Sequence, residues 1–252
     1  MTEIVIQGIG GRMGHVLCDM IAQREDCCVV AGIDMKDGEQ NGIPVYDSLE
    51  KLNGKGDVII DFSSPAAVEK ALPYCQTHKL PIVVCTTGLS EELQLKVVQL
   101  SRTVPVFKSA NMSMGINVLS ELCKRASAIL GVNYDVEIVE QHHHNKLDAP
   151  SGTSKELGEI IAGVRGEKLA DVADYGRKGR GLREKDHIGY HSVRAGDISS
   201  THTLIFGMEG ERIEITHRSY DFGTFAKGAL DGILFLQGKK PGVYAYREVL
   251  GL

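Results

Sequence analysis

The stretch "IVIQGIGGRMGHVL", residues 4–17, runs from an apolar strand-like segment through a glycine-rich turn into a helical pattern. Gly8, Gly10, Gly11 and Gly14 fall in and just after that turn. Glycine here lets the chain turn tightly and brings backbone N–H groups close to a pyrophosphate at a helix N-terminus. The match to G-x-G-x-x-G is imperfect, because Met13 stands at the third position; G-x-x-G-x-x-G over Gly8, Gly11 and Gly14 describes it better. A tight strand–helix connection without a ligand would use glycine too. Asp34, which closes the next apolar run, stands 20 residues beyond Gly14 and strengthens the dinucleotide reading. A carboxylate there accepts ribose hydroxyls and favours NADH, whereas Lys36, helped by Arg12, would attract the 2′-phosphate of NADPH. Both cofactors stay open.

Working outward, "CCVVAGID" (27–34), "DVIIDF" (57–62), "PIVVCTT" (81–87) and "VPVFKSA" (104–110) read as further strands. Between them, "SSPAAVEKAL" and "SEELQLKVVQLSR" read as helices, the first opened by Ser64 and Pro65 and ended or kinked early by Pro73. Strand–helix alternation with continuous apolar strands implies a parallel sheet covered on both faces.

The pattern changes near residue 111. "NMSMGINVLSELCKRASAIL" reads as one long helix, followed by the strand "YDVEIVEQ" and a helix from about Ser154 to Ala162. Residues 188–218 give three strand-like runs, "IGYHSVRA", "THTLIFGME" and "ERIEITHRS", the last two joined as a hairpin. In the last, Ile213 and Ile215 share one face, and Glu214 and Thr216 the other. "FGTFAKGALDGILFLQ" then returns to helix. The expected fold class is α/β: a Rossmann-type dinucleotide-binding domain, residues 1–111 and 224–252, plus an α+β substrate-binding and oligomerisation domain with a mixed sheet, residues 112–223. Hinges are expected near 109–113 and 220–224. The open sheet edge and face of the second domain predict a homo-oligomer.

Composition narrows the partners. Net charge is −5, from 28 basic and 33 acidic side chains, so nucleic acid or an anionic membrane is not expected as the main partner. No segment has the length and hydropathy of a membrane span. The six cysteines show no C-x-x-C spacing and mostly lie in apolar runs, as reduced thiols of a cytoplasmic protein do. The segment "YGRKGRGLREKD" (175–186) carries three arginines and two lysines and reads as a mobile surface loop open to an anion.

The segment "EQHHHNKLDAPSGTS" (140–154) concentrates proton carriers and anion-seeking groups. Three readings compete. In extended chain His142 and His144 share a face, as in some zinc sites, with Asp148 as a further ligand. A solvated polar loop suits any one histidine, His144 above all. The third is a site for an anionic substrate that must be protonated. Thr153 and Glu156 have capping-box spacing, so the backbone N–H groups of Gly152 and Thr153, with the hydroxyls of Ser151 and Thr153, would cradle a carboxylate at a helix N-terminus. Lys146 adds a charge or a proton, and His142 donates a proton near neutral pH. This reading accounts for the most residues and needs no metal.

The elements "GIGGRMG", "CTTG", "SANMSMG", "EQHHHNKLDAPSGT" and "GERIEITHR" resemble, in order and spacing, the dihydrodipicolinate reductase family over essentially the whole chain. The resemblance implies NADH- or NADPH-dependent reduction of a cyclic dicarboxylate in the diaminopimelate route to lysine, by a homotetramer. It implies His142 as proton donor or acceptor, Lys146 as its proton-donating partner, and His143, Gly152 and Thr153 as substrate-binding. Gly8, Ile9, Gly10, Gly11, Arg12, Met13, Asp34, Cys85, Thr86, Thr87, Ser109, Ala110, Asn111 and Met112 fall on cofactor-contacting positions. Met35 stands where some members carry arginine, and His144 and Asn145 also depart from some relatives. The rival from another class is a nucleotide-sensing Rossmann protein that binds cofactor without turnover; a metal-dependent hydrolase is the second.

Overall fold

The computed structural model describes residues 1–251. The chain runs β1 (Thr2–Gln7), α1 (Arg12–Ile21), β2 (Cys27–Ile33), β3 (Gly38–Gln40), β4 (Ile43–Tyr46) and β5 (Val58–Asp61). It continues through α2 (Pro65–His78), β6 (Ile82–Val84), α3 (Glu91–Leu100), β7 (Pro105–Phe107), α4 (Met114–Leu130) and β8 (Asp135–His142). Then come α5 (Gly152–Arg165), α6 (Leu169–Val172), β9 (Ala173–Tyr175), β10 (Ile188–Arg194), β11 (Ser200–Met208) and β12 (Glu211–Ser219). It ends with α7 (Gly223–Leu236), β13 (Gly242–Tyr244) and α8 (Tyr246–Val249). Two compact units form, Met1–Ser113 with Phe222–Leu252, and Met114–Asp221.

In the first unit, period-two alternation sends successive residues of each strand into two different cores. Ile4 and Ile6 of β1, Val58 and Ile60 of β5 and Phe107 of β7 pack with α1 and α7. Val5, Ile59, Ile82 and Val106, from the same set of strands, pack with α2 and α3 on the other face. The sheet order is β13-β7-β6-β5-β1-β2-β4-β3, parallel throughout except for the β3–β4 pair. The chain leaves β1 for one face and β5 for the other, which opens a crevice at their carboxyl ends, the usual ligand position in a Rossmann-type sheet. Met112 packs with Ala226 and Leu230 in the α1–α7 core, and β13 extends the parallel sheet beside β7.

Pro73 does not end α2, which continues to His78. Pro73 faces water, so the carbonyl it leaves without a partner is solvated, while Val68, Ala71, Leu72, Tyr74 and Cys75 anchor the helix on both sides of it.

The second unit is a mixed sheet, β12-β11-β8-β10-β9, with β8, β10 and β9 parallel and β11 antiparallel to both its neighbours. One face carries Val136, Ile138, Tyr190, Leu204 and Phe206 against Ile116, Leu119 and Cys123 of α4 and Leu157 and Ile161 of α5. The opposite face has Val139 and Ile205 half-buried and Val193 exposed. The basic segment 175–186 is partly tied down: Arg183 pairs with Asp135 and Glu137, and Arg177 with Glu137 and Asp174. Those two arginines are therefore committed to protein carboxylates.

Candidate active site

At the nucleotide crevice the loop after β1 is held open by steric necessity. Gly8 sits at φ +84, and a Cβ there would lie 2.4 Å from the Phe62 carbonyl oxygen. At Gly14 a Cβ would lie 2.1 Å from the Ile9 carbonyl oxygen, so only glycine lets α1 start against the loop. Gly11 caps α1 without any side-chain hydrogen bond, and no acidic residue occupies the first turn. Such a helix start presents N–H donors and positive potential to an anion. A cavity of about 710 Å³ adjoins it.

Gly11, Arg12, Met13, Cys85, Thr86, Thr87, Ser109, Ala110, Asn111 and Met112 all line this cavity. Of the other expected cofactor residues, Ile9 buries its side chain fully in the core, leaving only its backbone to serve a ligand. Asp34 follows β2 and accepts the Gly10 N–H at 2.8 Å and the Met35 N–H at 2.7 Å, so it clasps the glycine loop. Lys36 is exposed. The sequence reading missed Phe62, Ser63, Lys108 and Phe222, which also line the cavity. Ser63 N–H donates to Thr86 Oγ1 at 2.9 Å, and the Arg12 guanidinium lies 4.9 Å from the centre of the Phe222 ring. "DFSSP" at the end of β5 carried the signal for Ser63, since it lies across the crevice from the glycine loop. An uncapped helix start, glycines that no Cβ could replace and a carboxylate after β2 together fit a dinucleotide.

In the second unit, alternation along β8 places Val136, Ile138, Glu140 and His142 on the helix-covered face. The first two build the core; the last two continue the same row to the strand end, where α5 begins. His142 is thus the last residue of a strand and 7% exposed, not part of a solvated loop. Its Nδ1 hydrogen-bonds Glu140 Oε2. Arg194, aligned with His142 across the β8–β10 pair, grips the Glu140 carboxylate through two nitrogens at 2.8 and 2.9 Å. Ser151 N–H adds a 3.3 Å contact. Burial alone would raise the Glu140 carboxyl, but hydrogen bonds from His142 and Arg194 outweigh it and hold it at about 2. His202 on β11 packs edge-on against His142, with ring centres 5.2 Å apart, and its Nε2 meets Ser151 Oγ at 3.1 Å. Burial pushes His202 down to about 3, so it is neutral at physiological pH.

Beyond His142 the chain turns, with Lys146 N–H donating to the His143 carbonyl at 3.1 Å. Lys146 Nζ pairs with Asp148 Oδ1 at 2.7 Å. Helix α5 starts at Gly152, and its cap is Ser151, whose Oγ accepts the Ser154 N–H. The Thr153–Glu156 capping box is therefore replaced by a cap two residues earlier, because the Ser151 hydroxyl reaches the third residue beyond it. Gly152 and Thr153 consequently occupy the first two helical positions, where backbone N–H groups serve an anion. His144 is exposed and lies past the strand end, so the shared face with His142 does not form. Among the described residues no group of three or more His, Cys, Asp or Glu has the geometry to hold a metal ion. Glu140 and Arg194 were not singled out from sequence; period two from Ile138 pointed to Glu140, but nothing local pointed to Arg194.

Residues 2–112 match the family model "Dihydrodipicolinate reductase, N-terminus", and residues 115–250 match "Dihydrodipicolinate reductase, C-terminus". The chain is 40% identical to a 4-hydroxy-tetrahydrodipicolinate reductase of Clostridium novyi, covering 99% of this chain and 98% of that one. It is 38% identical to the enzyme of the same name from Pseudomonas fluorescens over the full length of both. Among solved structures, a dipicolinate-bound dihydrodipicolinate reductase from Paenisporosarcina is similar, with a TM-score of 0.80, 26% identity and 99% of each chain covered. With both halves matched and close full-length relatives in hand, the chain belongs to the dihydrodipicolinate reductase family.

Proposed function

We infer that the protein catalyses the reduction of 4-hydroxy-tetrahydrodipicolinate to tetrahydrodipicolinate, with NADH or NADPH as reductant and loss of water, in the diaminopimelate route to lysine. The nicotinamide nucleotide supplies the hydride. The chain's own residues bind the dicarboxylate and move a proton. The observation that carries this reading is the buried Glu140–His142 pair at the end of β8, set beside the N-terminus of α5 and followed by Lys146.

Gly152 and Thr153 N–H groups, with the charge of Lys146, receive a substrate carboxylate, and His143 serves the same anion. Adding hydride to a conjugated imine builds negative charge on the conjugated system, so an acid nearby lowers the barrier. His142 is that acid, with Lys146 assisting. Gly8 to Met13 and Asp34 hold the dinucleotide, with Cys85 to Thr87 and Ser109 to Met112 along the crevice; Lys36 tunes the choice between NADH and NADPH. The first unit is accordingly the nucleotide domain and the second the substrate domain. Half-buried Val139 and Ile205 beside exposed Val193, on the helix-free face of the mixed sheet, support assembly into a homotetramer. The six free cysteines fit the reducing cytoplasm; no described helix is long and apolar enough to cross a membrane.

Steady-state kinetics of two variants test the roles. His142→Gln should lower kcat by about 10²-fold with KM little changed. Lys146→Ala should lower kcat and raise KM. Cofactor affinity should survive both changes. Full activity in His142→Gln would remove it as the acid.

A further inference from the structure

Glu140 is fully buried, yet its carboxylate has a complete set of partners drawn from three parts of the second unit. Oε2 takes His142 Nδ1 and one Arg194 nitrogen; Oε1 takes the other Arg194 nitrogen and the Ser151 N–H. Arg194 also donates to the Asp148 carbonyl, in the segment that carries Lys146. Backbone bonds fix the same corner, from Ala195 N–H to the His142 carbonyl and from His144 N–H to the Gly196 carbonyl. A buried carboxylate without a cation would neutralise itself by taking up a proton. The two-nitrogen grip of Arg194 prevents this, so Glu140 can only accept.

We propose that Glu140 and Arg194 are positioning residues for proton transfer: Glu140 holds the Nδ1 proton of His142 so that Nε2 is the nitrogen that exchanges a proton with substrate, and Arg194 keeps that carboxylate charged and tied to the segment bearing Lys146. The proposal rests on His142 being the acid. The physical logic is that of a histidine whose tautomer and ring plane are set by the hydrogen bond at its other nitrogen. Other titratable groups near the pair do not replace Glu140. His202, directly opposite Glu140 in the β8–β11 pairing, is neutral; His217 lies one strand further, and burial pushes it down as well. Lys146 is engaged by Asp148. Among the described residues, the carboxylate bonded to the imidazole is Glu140.

The test combines kinetics with nitrogen-15 NMR of the imidazole rings in the whole enzyme, His142→Gln serving to assign the His142 signals. Wild-type His142 should carry its proton on Nδ1 at alkaline pH. Glu140→Gln should lower kcat by about 10- to 100-fold, the range for groups that orient a histidine, with cofactor affinity unchanged. In Glu140→Gln the tautomer preference of the His142 ring should also weaken, because the carboxylate that held the Nδ1 proton is gone. Arg194→Lys, which keeps the charge but loses the fork, should fall between wild type and Glu140→Gln. An Nε2-protonated His142 in the wild type overturns the proposal, whether or not any variant folds. So does Glu140→Gln with wild-type kcat and an unchanged His142 tautomer. Full activity of His142→Gln beside an Nδ1-protonated wild-type ring would instead sink the catalytic reading while leaving the hydrogen bond intact.

Discussion

Asp61→Asn probes a buried carboxylate that has no cation. Asp61 ends β5 with its side chain fully buried, and its Oδ1 accepts from Ser63 Oγ. Burial pushes its carboxyl up to about 6, against the opposing pull of Ser63 and Thr86. The unfolded chain holds an aspartate near 3.9, so between those values the folded protein binds the extra proton. Stability from this group is therefore greatest in acid and falls as pH rises through about 6. A gap of about two pK units at 1.36 kcal/mol each makes the ionised group cost about 3 kcal/mol at neutral pH. Integrated over the window, about 2 kcal/mol of that appears between pH 4.5 and 7.5. Asparagine removes the titration while keeping an acceptor for Ser63. Its amide brings a hydrogen-bond cost of its own, but that cost does not vary with pH and cancels from the comparison. Urea unfolding followed by circular dichroism, wild type against Asp61→Asn at several pH values, reads the difference. The variant should gain on the wild type by about 2 kcal/mol from pH 4.5 to 7.5. A flat difference, or one of opposite sign, would refute the reasoning.

Other outcomes follow from the same geometry. Gly14→Ala forces a Cβ against the Ile9 carbonyl, so it should cost about 1–3 kcal/mol of stability and weaken nucleotide binding, seen as a lower melting temperature and a raised dissociation constant. Asp34→Ala should shift preference towards NADPH and, by releasing the Gly10 N–H, weaken both cofactors; Lys36→Ala should shift preference towards NADH. Unchanged ratios of kcat/KM in both variants would remove these residues from cofactor choice. Glu140 is held at about 2, below its unfolded value, so its contribution is present above about pH 4.3 and lost as pH falls through about 2. The stability advantage of wild type over Glu140→Gln should shrink across that window in acid unfolding curves. Sedimentation should find a tetramer, and an active monomer at micromolar concentration would count against the assembly.

The first unit was largely legible because its strands are apolar on both faces and its first turn is built from glycines. What escaped was short: β3, β9 and β13 have three residues each, and β4 has four, too few to show a period. Pro73 misled because a proline on a water-facing side of an anchored helix is tolerated. In the second unit "HHHNKLDAPSGT" marked the turn after β8 and a helix beyond it, but the helix start shifted because Ser151 out-competes Thr153 as the cap. Arg194 was invisible for a topological reason. It reaches Glu140 across 54 residues, through a parallel strand pairing that no local pattern announces. Arg177 and Arg183 looked anion-seeking for the same reason, since Glu137 and Asp135 lie far away in sequence.

The most direct test of the central claim is the nicotinamide absorbance of purified enzyme mixed with NADH or NADPH and freshly generated 4-hydroxy-tetrahydrodipicolinate. Absorbance should fall in proportion to the substrate added, and the rate should drop by about 10²-fold in His142→Gln. Tight binding of either nucleotide with no substrate-dependent loss of absorbance would contradict it and leave a nucleotide-sensing protein in its place.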